Sequence, residues 1–321
     1  MQTQFKSVLQ ILDYYKDNET CVKLLEQQLW NGGEPVCPHC AAVGAYKTNR
    51  GYRCKSKGCQ KKFTVTTGTI YENTKIGLRI WFAAIYLITA HRKGISSHQL
   101  SRDLNVTQKT AWFILHRVRE MLKAENPSLL EGEIEVDATY YGGERKNKHA
   151  KKRKELTEKF GRGTLEKQAM VGLLERNGNV TAFKVESEAG KIVKPIIKDR
   201  VSKNAKALIT DAHGGYKDLH FEFNHVVINH QGGEYAKGSF HTNNIEGFWS
   251  QFKRGIKGIQ HHVSIKHLDR YCNEYAYRYN VRAIADGERF SGVLKNSYGR
   301  LRYSDLIGKG EDAGELGMPM A

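Results

Sequence analysis

Residues 133–143 read Glu-Ile-Glu-Val-Asp-Ala-Thr-Tyr-Tyr-Gly-Gly, a run of strand-forming residues with Asp137 at its middle. An ionised carboxylate in such a run is costly to bury unless it is paired or binds a metal ion. The run therefore marks a strand that carries chemistry. Working outward, strand patterns recur at residues 169–175, 180–185 and 207–210, with a helical stretch over 191–201 before the last. Three strands, a helix and a further strand predict a mixed sheet and an α/β (mixed α+β) domain.

Two further acids stand at places where side chains meet ligands. Asp211 ends the run ALITDAHGGY, where a strand gives way to Gly214 and Gly215. Taken alone, it reads equally well as a turn aspartate capping the next segment. Glu246 lies in HTNNIEGFWSQFKRGIKG, where Ile245, Trp249, Phe252 and Ile256 form one helical stripe and Glu246, Ser250, Lys253 and Lys257 form another. It also fits a capping box with Asn243 as the N-cap, and a capped helix start is a firm mount for a metal-binding acid. Carboxylate oxygens favour Mg²⁺ or Mn²⁺, and two such ions suit in-line displacement at a phosphodiester. Lys253 and Lys257 share the polar face with Glu246, placed for the phosphates of a bound strand. His213, His220, His225, His230 and His241 lie nearby at a spacing too irregular for a zinc hydrolase; His213, two positions after Asp211, is the best placed of them.

The N-terminal part reads differently. After a helical lead-in over residues 1–34, Cys37 and Cys40 are followed by Cys54 and Cys59, two close thiolate pairs able to hold one tetrahedral ion. Four protein ligands leave no open position, so the implied Zn²⁺ is structural, and residues 35–74 read as a metal-stapled ribbon with a basic surface. Residues 75–127 read as three helices with helix-turn-helix punctuation. Thr107 is the expected N-cap of the third, with Leu100, Leu104, Val106, Ala111, Leu115, Val118 and Leu122 as core. Lys109, Phe113, His116 and Arg117 fall on the opposite stripe, expected to meet the major groove or its phosphates.

Charge points to the partner. Lys and Arg number 51 against 34 Asp and Glu, a formal net charge of +17, which favours a polyanion through counterion release. The most apolar run, residues 80–90, is too short to span a bilayer and reads as a buried helix. The start of the chain does not resemble a secretory signal, so a cytoplasmic, nucleoid-associated protein without a membrane partner is expected. The basic insert RKNKHAKKRKELTEKFGRG, residues 145–163, is expected to be a mobile loop, and residues 301–321 a disordered tail.

The cysteine pairs, EVDATYYGG, ITDAHGGY, HTNNIEGFWSQFKRGIKG and the following HHVSIKHLDRYCNEYAYRYN together resemble the zinc-ribbon insertion-sequence transposases of the DDE superfamily, a Merlin-related group. The resemblance implies a ribonuclease H-like catalytic domain over residues 128–300, with Asp137, Asp211 and Glu246 as the metal-binding catalytic triad. It also implies a homo-oligomer on double-stranded DNA, both element ends and target. The function expected is cleavage at terminal inverted repeats and transfer of the 3′-hydroxyl to target DNA. The alternative is a DNA-binding regulator or nuclease derived from such an enzyme.

Overall fold

The computed structural model describes residues 5–123, 128–143, 145–160 and 167–308. In chain order the first elements are α1 (Val8–Tyr14), α2 (Asn18–Leu29), β1 (Ala45–Thr48), β2 (Gly51–Cys54), β3 (Lys62–Phe63), α3 (Leu78–Ala90), α4 (Ser97–Leu104) and α5 (Gln108–Met121). There follow β4 (Glu133–Tyr141), α6 (Ala150–Phe160), β5 (Gln168–Glu175), β6 (Val180–Val185), α7 (Gly190–Arg200), β7 (Ala207–Asp211) and β8 (His225–Ile228). Four helices complete the described residues: α8 (Asn243–Gly255), α9 (Leu268–Asn280), α10 (Asp286–Lys295) and α11 (Tyr303–Ile307). They form two compact units, one ending at Leu122 and resuming at Ala283, the other running from Lys123 to Arg282. No helix among the described residues is long and apolar enough to cross a membrane.

In the first unit the lead-in is two helices, because Asp17 accepts the Thr20 N–H at 2.8 Å and starts α2 afresh. At the centre lies α3, with Trp81, Phe82, Ile85 and Tyr86 all buried, as its apolar run requires. α1, α2, α4, α5 and α10 all pack on it. Phe290 of α10 meets Phe5, Phe82 and Tyr86 edge-on at 6.0, 5.9 and 6.2 Å. Residues 283–300, expected with the catalytic domain, therefore belong to the N-terminal unit. Part of the expected tail is folded too: α11 sets Tyr303 edge-on against Phe113 at 5.6 Å, while residues 309–321 lie outside the described residues.

In the second unit a five-stranded sheet has the order β6-β5-β4-β7-β8. β5 runs antiparallel to β4 and β6, whereas β7 runs parallel to β4 and β8. Both faces are covered. Ile134, Val136, Ala169, Val171, Leu173 and Leu208 join Val193 and Ile197 of α7 in one core. Met170, Leu174, Val180 and Ala182 join Ile245, Trp249 and Phe252 of α8 and Leu268 and Cys272 of α9 in the other. Since strand side chains alternate, Glu135 and Asp137 share the α8 face of β4.

Gly172, paired with Asp137 across β4 and β5, lets α8 approach closely: a Cβ there would lie 2.7 Å from Trp249 Cζ2 and 2.9 Å from Ile245 Cδ1. The basic insert departs from its expected loop, since residues 150–160 are helical. Its Ala, Lys, Arg, Glu and Leu residues are good helix formers, and Lys152 pairs with Glu155 at 3.1 Å one turn on, so high charge denies it a core without denying it a helix. Residues 161–166 of the insert lie outside the described residues.

Candidate functional site

Parallel register sets the first two acids. Val136 of β4 pairs with Thr210 of β7, so the next residues, Asp137 and Asp211, lie side by side at neighbouring strands and on one face. The third comes from α8, whose stripe Ile245, Phe248, Trp249, Phe252 buries itself on the sheet and leaves Glu246 exposed. The structure thus brings together all three acids named from the sequence. Burial, then the charges of Asp211 and Glu246, push the Asp137 carboxyl up to about 7. A site that resists the ionisation of its own carboxylate is one that a cation stabilises.

The surroundings hold these acids in place. Asp211 accepts the backbone N–H of His213 at 3.1 Å, and His213 Nδ1 lies 3.3 Å from Glu188. Glu188, mostly buried, also receives the hydroxyls of Tyr140 at 3.0 Å and Tyr216 at 3.3 Å. Burial, then Glu188, raise Tyr140 to about 12, and Tyr216 is raised further by burial, Glu188, Asp211 and Asp137. Thr242, not Asn243, is the N-cap of α8, and its hydroxyl makes no bond to the helix backbone. It donates instead to Glu246 Oε1 at 2.9 Å, while His230 Nε2 stands 3.1 Å from the same hydroxyl. The expected capping box does not form, because Glu246 falls at the fourth helical position rather than the third, and the acid is steadied through a side-chain bond instead. Glu188 and Thr242 escape the sequence reading, which names His230 only among the nearby histidines. Their contacts cross 28 residues in the case of Tyr216 and Glu188, beyond the reach of local pattern.

The cysteine set converges more tightly. Cys37 and Cys59 sulfurs lie 3.8 Å apart, Cys40 and Cys54 sulfurs 3.6 Å, and all four within 4.8 Å of one another. Zn–S bonds of about 2.3 Å at tetrahedral angles require sulfurs about 3.8 Å apart, so the donor set fits zinc. Each pair sits on a similar turn, with Ala41 and Gln60, directly after the second cysteine, both in left-handed backbone at φ 57° and 48°. Among the described residues no acid cluster converges to that degree, as mutual repulsion of three carboxylates would dictate.

The helix-turn-helix candidates divide. Lys109 is exposed at the start of α5, its ammonium 4.7 Å from the Tyr303 ring centre. His116 and Arg117, expected on the outward face, are buried, and this is a correction to the amphipathic reading of α5. His116 packs against Trp112 at 4.4 Å. Arg117 donates to the carbonyls of Leu301 and Glu72, both at 3.1 Å, and stacks on Phe113. A helix covered on both sides has no outward stripe along this length. Lys253, at the end of α8, and Lys257, just beyond it, are exposed as expected.

The chain carries a four-thiolate ribbon in one unit and, in the other, a mixed sheet with carboxylates on one face. Residues 16–62 match the transposase zinc-ribbon domain and residues 129–280 the ISXO2-like transposase domain, so both modules are similar to those of the zinc-ribbon insertion-sequence transposases. An uncharacterized protein in transposable element ISH50 of Halobacterium salinarum is 29% identical over 286 residues, covering 85% of this chain and 95% of the relative.

Proposed function

We propose that the chain is a DDE-type transposase that binds the terminal inverted repeats of its element, cleaves the strand and joins the freed 3′-hydroxyl to target DNA. The observation that carries this reading is the register of β4 against β7, which sets Asp137 beside Asp211 on the face where α8 presents Glu246. The strand order supports a ribonuclease H-like catalytic unit, with β4 central, β5 antiparallel to it and β7 parallel.

Asp137, Asp211 and Glu246 are the residues that would hold Mg²⁺ or Mn²⁺, hard ions matched to carboxylate oxygen. When bound, such ions activate the attacking oxygen and stabilise the leaving one. The residues of the chain do the rest: β4 and β7 hold two acids at a fixed separation, Thr242 orients the third, and the exposed Lys253 and Lys257 engage strand phosphates. The ribbon and the α3–α5 helices, a helix-turn-helix in this reading, bind duplex DNA through Lys109 and the basic ribbon surface.

The test is cleavage and strand transfer on supercoiled plasmid carrying the element ends in Mg²⁺. Asp137→Asn should lower both steps at least about a thousandfold while leaving DNA binding intact. A variant that still cuts and joins at the wild-type rate overturns the triad assignment; cutting without joining by the wild-type protein would favour a nuclease.

A further inference from the structure

We propose that Glu135 is a positioning residue that fixes Glu246 relative to Asp137 by capping α8 from the neighbouring strand; this rests on the triad reading above. Glu135 precedes Asp137 by two residues, so both point to the α8 side of β4, and its side chain is fully buried.

Its two oxygens are held by donors from the start of α8 and from Arg176. Oε2 accepts the backbone N–H of Asn244 at 2.9 Å and of Ile245 at 3.0 Å, groups that the first turn of a helix leaves without an internal partner. Oε1 accepts from Asn244 Nδ2 and from Arg176 Nε, both at 2.8 Å, with His241 Nδ1 at 3.4 Å. Arg176 extends the grip. It pairs with Glu133 at 2.5 Å and donates to the carbonyls of Ser239 at 2.8 Å and His241 at 3.0 Å, in the segment leading into α8.

A local cap would hold the helix start against its own chain only. Here Thr242 spends its hydroxyl on Glu246, and the negative charge that a helix N-terminus prefers comes from the strand bearing Asp137. Glu246 directly follows Ile245, whose N–H is held. One carboxylate therefore links the two metal-binding elements.

The test uses the full chain, with Mn²⁺ binding followed by electron paramagnetic resonance and Mn²⁺-dependent nicking of a supercoiled plasmid. Glu135→Gln turns an amide toward the donors and should weaken Mn²⁺ binding at least about tenfold and slow nicking about a hundredfold. Asn244→Ala, at an exposed position, removes one donor without endangering the fold and should weaken Mn²⁺ about threefold. Val193→Ala, in the core on the opposite sheet face, lowers stability and should leave Mn²⁺ affinity unchanged. In a Glu246→Ala background, Glu135→Gln should add no further loss.

Wild-type Mn²⁺ affinity in both Glu135→Gln and Asn244→Ala overturns the proposal, as does an equal loss in Val193→Ala or an additive loss in the Glu246→Ala background. If Glu135→Gln does not fold, Asn244→Ala decides alone. Asp137→Asn separates the levels: if it binds Mn²⁺ like wild type, the triad reading falls; if it loses Mn²⁺ while Glu135→Gln keeps it, only the positioning role falls.

Discussion

The thiolate set and the candidate carboxylate set are built in opposite ways. Four thiols come from two short turns within 22 residues and converge within 4.8 Å, whereas three carboxylates come from β4, β7 and α8, elements brought together only by the finished sheet. Local turns suffice for a soft, structural site. The carboxylate set is assembled from distant elements, and its burial, then its mutual repulsion, raise Asp137.

Breaking the local set should have the largest effect. Cys54→Ser should remove the bound zinc and unfold the ribbon, since zinc supplies about 10–16 kcal/mol in such modules; metal stoichiometry and near-ultraviolet dichroism would report it. Melting of the isolated 123–282 unit would be untouched by the parallel treatment with a zinc chelator. Breaking the assembled set through its packing should cost less. Trp249→Ala should destabilise the second unit by about 3–5 kcal/mol in urea unfolding, as the side chain joins α8 to the sheet.

Gly172→Ala tests the closeness of α8 more finely. Its methyl group meets Trp249 and Ile245 below 3 Å, so a loss of about 1–3 kcal/mol is expected, with slower cleavage because Glu246 moves with the helix. The pH dependence sharpens the electrostatic half. Asp137 keeps its proton up to about 7, well above the usual carboxylate value of about 3.9, so its contribution to stability without cation is full below that value and is lost as pH rises through 7. Cation binding needs the deprotonated form and runs the other way. Mn²⁺ affinity should rise about tenfold per pH unit below about 7 and level off above it, as calorimetry can measure.

The smallest effect is expected at Lys109. Its exposure makes Lys109→Ala a loss of about one phosphate contact, lowering the salt slope of DNA binding by about 1 without a change in melting temperature. Arg117→Ala, by contrast, should lower the melting temperature first, because it strips a buried network from α5.

What could be read from sequence follows the range of the cause. Strand alternation around Asp137, the α8 stripe and the cysteine pairs are short-range patterns, and each appears where periodicity or spacing puts it. The failures at α5 and at Glu135 are long-range, whereas the helix of the basic insert has a local cause. Nothing near His116 or Arg117 announces that α5 is covered on both sides, because the partners of Arg117 are Glu72 and Leu301. Glu135 sits in the very motif that identifies Asp137, yet its partners lie 109 and 110 residues away. An acid in a strand looks the same whether it binds metal or caps a helix; only the neighbour decides.

The return of α10 to α3 makes the second unit a cassette, entered at Lys123 and left at Arg282, inside a host that resumes at Ala283. Trimming the chain from its C-terminal side therefore dismantles the N-terminal module first, stripping Phe290 from Phe5 and Phe82 while the acids of the sheet stay covalently intact. The host's fold is closed only after the cassette has been synthesised. A ribosome must finish the sheet-bearing unit before the ribbon-bearing one can complete its core.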